Sequence, residues 1–126
     1  MPVTAKDLLA AANAAVPRIP AQQAQELAKS GNVLFVDVRD AMEVANSGKV
    51  PGAVHVSRGM IEFRACPEAP THDKAFDRNK TVIVYCASGG RSALAGKTLK
   101  DMGYTDVRNL GGFKDWLEAG LPVEKV

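Results

Sequence analysis

Two runs of the chain are apolar with almost no polar alternation: Val-Leu-Phe-Val-Asp-Val at residues 33–38 and Val-Ile-Val-Tyr at residues 82–85. A strand with no solvent-facing side is covered on both faces, which is the pattern of a parallel sheet. Outside these runs the apolar spacing becomes helical. Leu94, Thr98, Leu99 and Met102 share one stripe, and near the start Leu8, Ala11, Ala12 and Ala15 repeat behind a Thr4/Asp7 capping pattern. Pro17 ends that first helix, and Gly31 closes a short second one over residues 22–30. Asp40, with Glu43 three residues on, caps another short helix reaching Asn46. Short strands are predicted at residues 54–56 and 107–110, and a last helix carries Phe113, Trp116 and Leu117 on one face. Strands alternating with helices predict an α/β fold: a mostly parallel central sheet of about five strands, with helices on both faces.

With 126 residues, 46% of them hydrophobic, the chain is sized for one domain. Residues 1–18 read as an amino-terminal helical extension and residues 19–126 as the domain proper. Charged residues make up 24%, the net charge is only +2, and the sixteen basic residues are scattered, which argues against nucleic-acid or membrane partners. Two cysteines, Cys66 and Cys86, are too few for a disulfide framework and lack the paired spacing of a zinc site. The expectation is therefore a cytoplasmic protein, with no secretory signal and no run near the ~20 apolar residues of a membrane span.

Cys86 falls where the second apolar run ends, facing the start of the following helix. The intervening Ala87-Ser88-Gly89-Gly90 can turn sharply, and its amides together with those of Arg91 and Ser92 can point inward as an anion-binding nest. Helix amino ends and nearby arginines lower a thiol pKa from about 8.5 to roughly 3.5–7.5, so Cys86 is expected to be largely ionised at neutral pH. Arg91 is expected to add a fixed positive charge for an anionic substrate. Asp37, close to a buried strand, needs loop amides or an arginine as partners, and Asp37 and Arg39 are read as structural support. His55 is expected to be a satisfied structural residue and His72 a solvated one. Residues 57–80 form the longest weakly patterned region. They make either a lip over the thiol, with Met60, Phe63 and Arg64 as walls, or an ordinary surface connection. Cys66 reads as a spectator, against the alternatives of accepting a group from Cys86 or forming a regulatory disulfide with it.

These residues also carry a family resemblance. Cys86, four loop residues and Arg91, after a strand and before a helix, resemble the active-site loop of rhodanese sulfurtransferases. Asp37-Val38-Arg39 resembles the Asp-Val-Arg ending of the family's first long strand. Gly48-Lys49-Val50-Pro51-Gly52-Ala53 is similar to its Gly-His-Ile-Pro-Gly-Ala turn, with Lys49 where histidine is usual. Leu110-Gly111-Gly112-Phe113 with Trp116 resembles its Leu-x-Gly-Gly-aromatic-x-x-Trp ending, so the likeness covers residues 19–122. It implies sulfur transfer through a Cys86 persulfide, from a small sulfane-sulfur donor to cyanide, a small thiol or a protein thiol. No metal or organic cofactor is implied, and the chain would act as a monomer or homodimer. The loop's uncharged middle makes a persulfide donor at least as plausible as thiosulfate. Two alternatives stand beside this reading. A phosphatase or arsenate reductase would have a loop with five residues between Cys and Arg, and a non-catalytic interaction module would have no need of Cys86.

Overall fold

The structure is a computed structural model that describes residues 2–126. Helices α1 (Ala5–Ala15) and α2 (Ala21–Ala28) precede strand β1 (Val33–Asp37). Helix α3 (Ala41–Ser47) and strand β2 (Val54–His55) follow, then a single 3-10 turn at Arg58–Met60 and helix α4 (Ile61–Ala65). The chain ends in β3 (Thr81–Cys86), α5 (Gly90–Asp101), β4 (Asp106–Gly112) and α6 (Phe113–Glu118). The strands pair in parallel in the order β2-β1-β3-β4.

The sheet has four strands rather than about five. A fifth position exists only as a single parallel bridge, Arg18 to Asn109, held by Ile19 N–H to Asn109 O (3.0 Å) and Asn109 N–H to Pro17 O (2.8 Å). On one side Pro17 has no N–H to give, and on the other the Gly111 N–H is taken by Asn109 Oδ1 while α2 begins at Ala21, so the ladder does not lengthen in either direction.

Both faces of the sheet are buried, and the period of two along each strand sorts its side chains between them. Leu34, Val36, Val38, Val82, Val84 and Cys86 face one layer, packed on Val16, Ile61, Ala65, Ala95 and Leu99 from α1, α4 and α5. Phe35, Ile83, Tyr85 and Leu110 face the other, packed on Ala21, Ala24, Phe113 and Trp116 from α2 and α6. Trp116 meets Phe35 edge-on at 5.8 Å and is a core anchor. Leu117, one residue on, is exposed, so the apolar face of α6 is narrower than its sequence suggests.

The stripe of α1 is narrower too: Ala12 is buried, whereas Leu8 and Ala11 are exposed. The helix packs on α5 through small residues. A Cβ on Gly96 would stand 3.1 Å from both methyls of Val16, so glycine is what lets the two segments approach. Lys49, the departure from the usual histidine, reaches Ala53 O at 2.6 Å and faces Glu124 at 3.5 Å.

Candidate active site

Strand β3 delivers Cys86 to the carboxyl edge of the sheet, where parallel α/β folds place their ligand sites. Residues 87–89 then turn the chain into α5, with Gly89 as its cap at φ +110, a conformation that side chains beyond glycine rarely adopt. The Cys86 sulfur is buried at the centre of this turn. Gly89 N–H donates to Sγ at 3.0 Å, and Ser92 Oγ lies 3.4 Å from it. Burial alone would raise the thiol pKa. Hydrogen bonds from the Ser92 hydroxyl and from the amides of Ser92, Gly89 and Ser88 outweigh it and hold the thiol below its ordinary value.

Beneath the sulfur Ser92 pairs with Asn109, a residue that the sequence did not single out. Ser92 and Asn109 are both buried, with Ser92 Oγ 2.8 Å from Asn109 Oδ1. Asn109 Nδ2 donates to Gly89 O at 3.2 Å, and its Oδ1 accepts from Gly111 N–H at 2.8 Å. The serine hydroxyl has one hydrogen between two acceptors, Asn109 Oδ1 and Cys86 Sγ. When the sulfur is anionic the hydrogen can turn to it, because Gly111 still satisfies Asn109. A polar residue inside a predicted strand was the available signal, since a buried amide requires partners.

Arg91 closes the loop, but its two terminal nitrogens are already engaged. They fork onto the Glu43 carboxylate of α3 at 2.7 and 3.0 Å. This pairing, more than any other cause, holds the Glu43 carboxyl down to about 2 and raises the Arg91 pKa, to which the Cys86 thiolate also contributes. Glu43 has a local role as well, in the capping box with Asp40. That local pattern is legible in sequence; the bond to Arg91, 48 positions away, is a tertiary event.

Asp37 and Arg39 are buried together at the end of β1. Arg39 Nη2 and Nε bond the carboxylate at 2.7 and 3.0 Å, while Nη1 reaches Ser47 Oγ and Nη2 also reaches Gly48 O, both at 2.7 Å. The guanidinium stacks 4.5 Å over the Phe113 ring. The pair thus ties β1 to α3 and α6. His55 Nε2 meets Arg39 O at 2.6 Å. His72 differs from the solvated residue expected: it is half-buried, and its Nε2 is enclosed without a hydrogen-bond partner.

Met60, Phe63 and Arg64 are exposed at their side chains, Phe63 by 55%, and none hydrogen-bonds to residues 86–92. The rest of that region is pinned to the core instead, by Phe76 against Tyr104 (6.1 Å, edge-on) and by Tyr104 O–H to Ala65 O (2.7 Å). Cys66 is half-buried, and both cysteines are free thiols.

Parallel sheet, strand-end thiol and hydrogen-bonding loop together define a class, and the comparisons agree with it. The sequence profile described as "Rhodanese-like domain" matches residues 20–119. The chain belongs to the rhodanese-like sulfurtransferase family. It is 40% identical over 111 residues to the thiosulfate sulfurtransferase GlpE of Pseudomonas savastanoi, spanning 86% of this chain and 93% of that one. Among solved structures it resembles a Rhodopseudomonas palustris protein of unknown function described as a possible tyrosine phosphatase. The TM-score is 0.88 at 41% identity, over 98% of this chain and 99% of that one. It also resembles the homodimeric polysulfide-sulfur transferase of Wolinella succinogenes, with a TM-score of 0.77 at 33% identity, over 96% of this chain and 87% of that one. Among the described residues no helix is long and apolar enough to cross a membrane.

Proposed function

We propose that the protein transfers a sulfane sulfur through a persulfide on Cys86. The observation that carries this is the sulfur's setting: a thiol at a strand end, with Gly89 N–H at 3.0 Å and Ser92 Oγ at 3.4 Å. Those donors stabilise a thiolate before reaction and an anionic persulfide after it, as an oxyanion hole stabilises developing charge.

In the first half-reaction the Cys86 thiolate attacks the outer sulfur of thiosulfate or of a small persulfide. The new S–S bond forms as the old one breaks, and sulfite or a thiolate leaves with the electron pair. In the second, cyanide or an acceptor thiolate attacks the outer sulfur and the Cys86 thiolate departs, so the enzyme returns to its starting state with no net redox change. The two steps make a ping-pong cycle. Residues 87–92 bind the charged sulfur; Asp37 and Arg39 hold the sheet edge on which the loop rests. Two free thiols fit a reducing, cytoplasmic setting.

The phosphatase alternative is not favoured. Four residues separate Cys86 from Arg91 where that chemistry would have five, and Glu43 already holds the Arg91 guanidinium.

Intact mass after incubation with thiosulfate or glutathione persulfide tests the proposal. One added sulfur atom is expected, lost on reduction and absent in Cys86→Ser. No added sulfur with any sulfane donor, alongside turnover of an aryl phosphate, would overturn it.

A further inference from the structure

Residues 87–90 carry no charge, and Arg91 faces Glu43, so the loop offers an anionic compound little free positive charge. A second arginine stands at the same edge of the sheet, from the segment that precedes the matched rhodanese-like residues. Arg18 forms the single bridge to Asn109, and its guanidinium lies across the loop. A Cβ on Gly89 would stand 2.7 Å from Arg18 Nη1, and one on Gly111 would collide with the same group. Gly89 is the residue whose amide bonds Cys86 Sγ, so one residue's thickness separates this cation from the reactive sulfur.

Arg18 is also available. Its side chain is 54% exposed, and its one ionic partner among the described residues, Asp115 Oδ2, is 3.7 Å away, a loose contact that exchanges easily with a competing anion. Both side chains line an open cleft of about 500 Å3, floored by Ile19, Pro20, Leu110 and Ala119. The cleft therefore has apolar walls and one replaceable cation beside the loop, the combination that holds a small molecule with a charged end.

We propose that Arg18 recognises the anionic end of the small carboxylate-bearing thiol or persulfide that reacts at Cys86, with the adjoining cleft holding the body of that molecule. Asp115 competes for the same guanidinium and so limits the attraction. This assignment rests on the sulfur-transfer reading for the identity of the ligand, but not for its test.

Two alkylating reagents of nearly equal size supply that test. In each, the Cys86 thiolate attacks the methylene carbon and iodide leaves; iodoacetate carries a carboxylate where iodoacetamide carries a neutral amide. The ratio of their rates cancels any change in Cys86 ionisation. In a Cys66→Ser background, Arg18→Gln should lower the iodoacetate-to-iodoacetamide ratio about threefold, the effect of one unit charge several ångströms away in partly solvated surroundings. Arg18→Lys should restore most of it, Asp115→Asn should raise it, and added salt should compress all three differences. An unchanged ratio in Arg18→Gln overturns the assignment. With persulfide-loaded enzyme, Arg18→Gln should raise KM for mercaptopropionate without changing kcat, and leave mercaptoethanol unaffected. A shifted alkylation ratio without any persulfide would retire sulfur transfer while leaving Arg18 as an anion site.

Discussion

Two forked arginine–carboxylate pairs engage α3 or its end, one side-on through Nε and Nη2 and one end-on through Nη1 and Nη2, in very different surroundings. Arg39 and Asp37 are 4% and 0% exposed at their side chains; Arg91 and Glu43 are 38% and 33% exposed. The first pair is closed on every side: its guanidinium also satisfies Ser47 and Gly48 and stacks on Phe113. The second is open to solvent on one side and adjoins the reactive loop. Water can replace either partner of the exposed pair but neither partner of the buried one. The same pairing of guanidinium with carboxylate therefore serves as scaffold in one place and as an exchangeable contact in the other.

The largest expected effect separates the two pairs directly. Removing one member of a buried pair strands the other charge, so Asp37→Ala should cost about 3–5 kcal/mol of stability. Glu43→Ala should cost no more than about 1 kcal/mol, because Arg91 can turn to water. Denaturant midpoints for the two variants check this. Equal losses would mean that burial does not distinguish the pairs.

The polar pair beneath the thiol sharpens the contrast, since Ser92 and Asn109 are as buried as Asp37 yet touch the reacting atom's surroundings. Ser92→Ala removes a hydroxyl that supports the thiolate but leaves the Gly89 amide in place. The Cys86 pKa should rise, because the thiolate loses a hydrogen bond that helps to hold it below its ordinary value. The pH dependence of iodoacetamide alkylation measures it. Asn109→Ala should move the same profile the opposite way, because the serine hydrogen loses its competing acceptor and turns to the sulfur, whereas a merely structural asparagine would lower stability and leave the profile still.

How much of this was legible beforehand follows from the range of the forces involved. The alternating strands and helices, the strand-end position of Cys86 and the glycine turn are local patterns, and each is where the sequence indicated. The fifth strand was not legible as a single bridge, because what limits it is the missing N–H of Pro17 and the capture of Gly111 N–H by Asn109 Oδ1, on a segment whose pairing partner lies 91 positions later, at Asn109. Glu43 was legible as a cap but not as the partner of Arg91, and Arg18 lay outside the resemblance altogether. Electrostatic partners far apart in sequence leave no periodic trace, so the charges around the thiol emerge only in three dimensions.

The smallest effect concerns the exposed pair itself, and its sign is fixed by the direction of the Glu43 shift. Chiefly through its hydrogen bonds with Arg91, the folded protein holds the Glu43 carboxyl at about 2, below its ordinary 4.5. A group with a depressed folded pKa stabilises the fold above its unfolded value, and that stabilisation is lost as pH falls from about 4.5 through about 2. Because both side chains are over a third or nearly a third exposed, solvent screening keeps the contribution small. Glu43→Gln should therefore lower stability slightly near neutrality, where the contribution is complete, and the difference from the parent protein should vanish as pH falls from about 4.5 through about 2. It also releases Arg91 beside the loop. The KM for thiosulfate should then fall about twofold, as expected when a surface ion pair gives up its cation to a competing anion. A rise in KM would show instead that Glu43 holds Arg91 in the position from which it binds substrate, and the exposed pair would join the buried one as scaffold.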